Sequence, residues 1–133
     1  MQVLIRTIPH QTQWYNTVGD WIWSEDGHLL TINVSETGDW RYDMLVALHE
    51  LVEVVLCKDR GITQESVDYF DRDFEERRKH GEVPEDAEPG DAIEAPYYEQ
   101  HQIASVVERL LATAMKIHWH AYDEKLASFD NDK

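Results

Sequence analysis

The feature that most constrains the fold is an apolar segment in the middle of the chain that also carries three ionisable side chains. Residues 44–56 are apolar on almost every face of a helix predicted over 39–60, and such a helix is buried on most of its sides. His49, Glu50 and Glu53 lie inside this segment. Burying an imidazole and two carboxylates is costly unless they are paired or bind a metal. The segment therefore requires both a surrounding core and partners for its charges.

The pattern around this segment predicts an α+β fold in a single domain over 1–133. Residues 1–36 are β-rich, and Asp26-Gly27 between two short apolar runs indicates a hairpin. We expect a small N-terminal antiparallel sheet followed by three helices, over 39–60, 63–80 and 96–126. An acidic loop occupies 81–95. The order of strands and then helices is typical of α+β domains.

The charge of the chain excludes some classes of partner. Asp and Glu number 27 against 12 Lys and Arg, so the formal net charge is −15. A chain of this charge repels phosphate backbones and anionic membranes, so we expect no direct phosphate contact to nucleic acid and no membrane partner. A single cysteine, Cys57, favours a reducing, cytoplasmic location. Residues 64–100 hold 13 acidic and 4 basic residues, for which a solvated surface is the plainest interpretation.

A divalent metal is one candidate partner for the buried charges. His49 and Glu53 are four residues apart and share a helix face, so they offer a nitrogen and an oxygen ligand. Glu50 is then placed to act on a water molecule as a general base. In the last helix, His101 and Glu108 lie on a mostly apolar stripe. We expect His101 to be the third ligand to Zn²⁺ or another divalent metal, with Glu108 supporting the site two turns away.

Less specific interpretations of the same residues remain open. His49 with Glu53, or His101 with Glu108, forms a hydrogen-bonded pair that only fixes packing. Asp68 and Asp71 in the second helix are either alternative ligands that turn inward or solvated side chains.

The segment from Leu29 to Leu56 resembles the active-site region of zincin-type metallopeptidases, whose motif is His-Glu-x-x-His on a helix that follows an edge strand. Here the strand is 29–35, the first histidine matches His49, and the general-base glutamate matches Glu50. Glu53 replaces the second histidine. The resemblance implies a zincin-like core and a zinc-dependent hydrolase acting on an unknown substrate of peptide type, or a metal-binding relic of one. Residues 49–108 also resemble small uncharacterised phage and prophage proteins, which brings no activity.

Two other functions compete with the zinc hydrolase. The carboxylates of Glu50, Glu53, Glu65 and Asp68 resemble those of all-α nucleotide pyrophosphohydrolases of the MazG type, which bind magnesium. The β-rich start and the buried histidines argue against that family. A non-enzymatic acidic protein that mimics the charge of nucleic acid is the third alternative. Such a mimic needs acids at its surface only, so it leaves the acids of the apolar helix unexplained.

Overall fold

The secondary structure is a three-stranded sheet followed by four helices, which confirms the α+β class. The computed structural model describes residues 1–131. The strands are β1 (Gln2–Ile8), β2 (Gly19–Trp23) and β3 (Leu29–Ser35), and the helices are α1 (Trp40–Asp59), α2 (Gln64–Lys79), α3 (Tyr98–Ala114) and α4 (Trp119–Ala127). Short 3-10 turns occupy His10–Thr12, Pro89–Asp91 and Ser128–Asn131. None of the helices in this part of the chain combines the length and the apolar character needed to cross a membrane.

The sheet is mixed, so the expectation of a wholly antiparallel sheet was wrong. The strand order is β1-β3-β2, in which β2 and β3 form the expected antiparallel hairpin while β1 runs parallel to β3. β1 ends beside the end of β3, and the connection over 9–18 crosses that end of the sheet before β2 begins. Because β3 pairs with β1 along one side and with β2 along the other, it lies between these two strands.

β3 is consequently the central strand and not the edge strand that the zincin resemblance implied. Its apolar side chains belong to the core: Leu30, Ile32 and Val34. Two of its polar side chains, Asn33 and Ser35, are also buried, and the preceding segments provide hydrogen-bond partners for them. The Arg6 Nε donates to Asn33 Oδ1 over 2.7 Å, and the His10 ring lies 2.8 Å from the Ser35 hydroxyl. The two edge strands are β1 and β2, and β2 packs together with β3 against α1.

Helices α1 and α2 begin one residue after the starts predicted at 39 and 63. The Asp39 side chain accepts a hydrogen bond from the backbone N–H of Arg41, and Thr63 accepts one from that of Ser66. Helix α1 packs between the sheet and α3. The apolar α1 segment thus has a core on two sides, as its composition requires.

The single helix expected over 96–126 is instead two helices. The observed start also differs from the predicted one: α3 begins at Tyr98, two residues after Pro96. The chain reverses after Met115 with Lys116 in the left-handed region at φ 57°, and the His118 side chain caps α4. This break folds α4 back, so that the ring of Tyr122 is buried against that of Tyr42 on α1. The gain in buried aromatic surface explains why the helix does not continue.

Candidate metal centre

Three of the predicted ligands converge where α1 packs against α3. His49 Nε2 lies 3.3 Å from Glu53 Oε2, His101 Nδ1 lies 2.9 Å from the same oxygen, and the two nitrogens are 3.2 Å apart. All three residues are largely buried, and their ligand atoms are close enough to bind one metal ion. The expected meeting of the first and third helices at one site is thus what the structure contains.

The triangle formed by these atoms has the dimensions of one face of a small coordination polyhedron. Zinc binds histidine nitrogen and carboxylate oxygen at about 2.0–2.2 Å, so tetrahedral neighbours are about 3.3 Å apart. The observed separations of 2.9–3.3 Å approach that value. A four-coordinate ion would keep one position for water or substrate, as catalytic zinc sites do.

The outer nitrogen of each imidazole faces a carboxylate. His49 Nδ1 lies 2.8 Å from Glu108 Oε1, and His101 Nε2 lies 3.4 Å from Asp91 and 3.6 Å from Glu88. A carboxylate only accepts hydrogen bonds, so each outer nitrogen carries a proton, and each inner nitrogen would offer its lone pair to a metal once the proton that it shares with Glu53 is displaced. Metal-binding histidines are commonly fixed in this way. Glu88, Asp91 and His101 are themselves close enough to hold an ion, but we interpret the two exposed acids as orienting groups.

A second layer of donors fixes the two buried glutamates. The indole N–H of Trp21 donates to Glu53 Oε1 over 3.1 Å, which leaves Oε2 for the centre. The Tyr122 hydroxyl donates to Glu108 Oε2, while the other oxygen faces His49. Glu108 therefore lies outside the triangle and contacts His49, and the alternative pairing of His101 with Glu108 does not occur.

Without a metal, protons compensate the same cluster. Burial alone would lower the pKa of His49, but its hydrogen bonds to Glu108 and Glu53 outweigh burial and raise the pKa to about 10. His101 behaves likewise, since Asp91, Glu53 and Glu88 raise its pKa to about 12 despite burial. Burial opposes ionisation of Glu53, but the two imidazoles lower its pKa to about 2. The metal-free centre is thus a carboxylate between two imidazolium ions, and a metal must displace two protons.

Glu50 occupies a different position, on the wall of a cavity beside the three ligands. The cavity has a volume of about 490 Å³ and is lined by both histidines and Glu53 as well. Glu50 is 8% exposed, and its carboxyl forms no hydrogen bond with residues 1–131 as the structure describes them. Burial, and then the nearby charge of Glu53, raise the pKa of Glu50 well above its ordinary value. An unpaired carboxyl in such a place is available to take up or release a proton.

Two glycines allow the backbone to approach these side chains closely. A Cβ atom at Gly19 in β2 would lie 2.7 Å from Glu50 Oε1, and one at Gly90 would lie 2.5 Å from the ring of His101. Any larger residue would therefore displace the side chain that it faces. Gly19 and Gly90 confine the general-base candidate and one ligand candidate, respectively.

The acids of α2 divide between the cavity and the solvent side. Asp71 is buried on the cavity wall, where the hydroxyls of Tyr15 and Tyr97 donate to its two oxygens over 2.8 and 2.5 Å. Asp68 is half-buried and has Gln64 as a weak partner at 3.5 Å. Neither belongs to a group of side chains within metal-binding distance in the described part of the chain.

Several residues at the site have no clear signal in the sequence. Trp21, Asp91 and Tyr122 contact the ligand cluster from positions 32, 10 and 14 residues away from their partners, in a strand, a loop and a separate helix. No helical or strand period connects such positions. One sequence feature could have indicated a contact with His101. It is the glycine of Pro89-Gly90-Asp91, in the acidic loop that precedes this histidine.

Comparisons with known proteins add no further constraint. No family model, no curated protein and no solved structure matches the chain. The relation to zincins therefore stays a prediction from residues 29–56, and the function has to be argued from the chemistry of the centre.

Proposed function

We propose that this protein binds a divalent metal ion, zinc first, through His49, Glu53 and His101, and that it is a metal-dependent hydrolase with Glu50 as general base. The observation that carries the proposal is the triangle of ligand atoms, 2.9–3.3 Å on a side, with a carboxylate on the outer nitrogen of each imidazole. Two nitrogens and one oxygen are a donor set that suits zinc better than magnesium, which prefers oxygen alone.

The chain's own residues supply the remaining parts of such a site. A bound zinc ion would polarise a carbonyl group and lower the pKa of water. Glu50 lies on the cavity wall next to His49, has no hydrogen-bond partner among the described residues, and can hold the proton that water releases. The cavity volume, about 490 Å³, is sufficient for a short stretch of a peptide.

The magnesium alternative receives less support from the geometry. It requires Glu50, Glu53, Glu65 and Asp68 to act together, but Glu65 is exposed and Asp68 points to Gln64. The charge-mimic alternative explains neither the buried triangle nor the orienting carboxylates, because a mimic acts through its surface.

Metal analysis of the purified full chain tests the binding half. After incubation with zinc and removal of excess, we expect one zinc per chain in the parent protein and in H120A, whose histidine side chain is 74% exposed. H49A and H101A should retain none. Zinc retained by both variants, or absent from the parent, would contradict the proposal.

Cleavage of fluorescently labelled casein, a general peptide probe, tests the hydrolytic half. E50Q should keep its zinc and lose about 10²–10⁴-fold of the parent rate, the range for a general base. If the zinc-loaded parent protein cleaves neither casein nor a second, denatured protein substrate, we would conclude that the protein binds metal but is not a peptidase.

A further inference from the structure

The cavity beside the metal centre is lined by many more carboxylates than the centre uses. Three of them are buried on its inner wall: Asp20, Glu50 and Asp71. Asp86 and Asp123 lie at its rim and are exposed, and Glu88 and Asp91 lie beside His101. The acids come from β2, α1, α2, the 81–95 loop and α4, so they surround the space on several sides. If these acids served only to give the surface a net negative charge, we would not expect them to be concentrated around one cavity.

Outside the metal centre, whose two imidazoles already face Glu53, Glu108 and Asp91, no free cationic side chain of the described lining balances them. Within residues 1–131, Arg78 is the one lysine or arginine that lines the cavity. Its guanidinium pairs with Glu75 at 3.2 Å and donates to the backbone carbonyls of residues 84, 85 and 87. Arg78 therefore ties the acidic loop to α2 and is not free to bind a ligand anion.

Two of the three buried members lack the partners that buried carboxylates normally have, whereas Asp71 accepts from Tyr15 and Tyr97. Glu50 is more than nine-tenths buried with no hydrogen-bond partner among the described residues, and Asp20 accepts only from the N–H of Trp21. Uncompensated carboxylates in a partly enclosed space attract a positive charge more strongly than the same groups in water, because screening is weaker there. Anionic ligands are repelled for the same reason.

We propose that the cavity accepts a positively charged substrate, namely a peptide with a lysine or arginine side chain next to the bond that is cut. The inference rests on the proposed hydrolase, to which it adds the substrate class. The carbonyl of the peptide would lie at the metal centre, and the ammonium or guanidinium group would lie between Asp20 on the inner wall and the exposed rim carboxylates of Asp86 and Asp123. Zinc does not reverse the sign of this field, because its two charges are offset by Glu53 and Glu108.

Equilibrium binding of two matched peptides tests the proposal without depending on catalysis. The probes are Ac-Ala-Lys-Lys-Ala-amide and Ac-Ala-Glu-Glu-Ala-amide, titrated into the full chain with and without zinc. We expect the lysine peptide to bind at least about tenfold more tightly, and its advantage to fall in about 0.5 M NaCl as salt screens the charges. Equal affinities, or tighter binding of the glutamate peptide, would overturn the proposal.

Charge-matched variants locate the effect. D86N/D123N removes two rim charges, and E25Q/E36Q removes two exposed charges that do not line the cavity. The rim variant should weaken binding of the lysine peptide by about threefold or more, while the control variant leaves it unchanged. Equal effects of the two variants would show a response to net charge and would overturn the proposal. If the lysine peptide binds selectively but the chain holds no zinc or cuts no peptide, the hydrolase fails while the charge preference stands.

Discussion

His49 and His101, which are 52 residues apart in the chain, bring two ring nitrogens to within 3.2 Å of each other beside one oxygen of Glu53. Two lone pairs and a carboxylate oxygen at such distances repel one another unless a proton or a cation lies between them. The outer nitrogens face Glu108 and Asp91, so the rings cannot relieve the repulsion by exchanging tautomers. The cluster therefore attracts positive charge, and we propose that protons and metal ions compete for it.

Zinc binding should release about two protons near neutral pH. The pKa of His49 is raised to about 10 and that of His101 to about 12, so both rings are protonated at pH 7 before the metal binds. Apparent zinc affinity should then rise with pH, by about a hundredfold per pH unit below pH 10. Calorimetric titration in buffers of different ionisation enthalpy gives the proton count. An affinity independent of pH between 6 and 8 would contradict a site made of these two histidines.

Glu108 should govern zinc affinity without binding the metal. Its carboxylate accepts from His49 and from the Tyr122 hydroxyl, which orients the imidazole. Loss of such an orienting carboxylate typically weakens metal binding by about 10–100-fold. We expect this for E108Q, with a smaller effect for Y122F, measured by competition with a chromophoric zinc chelator. E99Q, an exposed glutamate on the same helix, is the matched control and should bind zinc as the parent does.

Alanine at the two confined glycines should separate metal binding from catalysis. A Cβ at Gly90 meets the His101 ring at 2.5 Å, so G90A should weaken zinc binding. A Cβ at Gly19 meets Glu50 at 2.7 Å, so G19A should keep zinc and lose hydrolysis of casein. Each should also lower the free energy of unfolding by about 1–3 kcal/mol, as overpacking does. If both variants lost zinc equally, Gly19 would not act through Glu50 alone.

The stability of the protein should fall as pH rises through the range in which Asp71 ionises. Burial is the main cause that raises the pKa of Asp71 from 3.8, its ordinary value, to about 7, and the charges of Glu53 and Asp68 add repulsion. Between these two values the unfolded chain has lost the proton and the folded chain retains it. The contribution of Asp71 to the free energy of unfolding therefore decreases by up to about 4 kcal/mol from pH 4 to pH 7 and is constant above that, while the raised pKa values of His49 and His101 lower the free energy of unfolding further above about pH 6.5.

D71N tests this pH dependence because it removes the charge and keeps the shape. Relative to the parent, D71N should gain stability between pH 4 and pH 8, measured as the difference in urea midpoint at each pH. D73N, which neutralises an exposed acid on the same helix, is the control and should leave the slope unchanged. A parallel shift of the D71N and parent curves at all pH values would show that the Asp71 charge is not the cause.

The metal-site hypothesis came from local periodicity, and it identified the residues that converge. A spacing of four places His49 and Glu53 on one helix face, and the mostly apolar stripe of the last helix marks His101 and Glu108 as buried. Ionisable groups at apolar positions are rare enough to require partners, which is why the pattern singled out four residues that the structure brings together. The starts predicted at 39 and 63 lie one residue before α1 and α2, at the residues whose side chains cap these helices in the structure.

Non-local packing decided what the periodicity left open. The parallel pairing of β1 depends on how the 9–18 connection crosses the sheet, and the break at Lys116 depends on burying Tyr122 against α1. No Gly or Pro lies at that break, so the local pattern continued the helix through it. Asp71 was assigned to either solvent or metal, whereas two tyrosines from distant segments hold it on the cavity wall.

The sequence by itself determined that this chain has a buried helix with charges that need partners, because burial follows from composition and period within one element. Only the tertiary structure decided which partners they have. Glu108 faces His49 and not His101, Asp91 and Glu88 face His101, and the acids of five segments surround one cavity. Distances between elements are set by how whole helix and sheet surfaces pack, and a one-dimensional pattern carries no information on them.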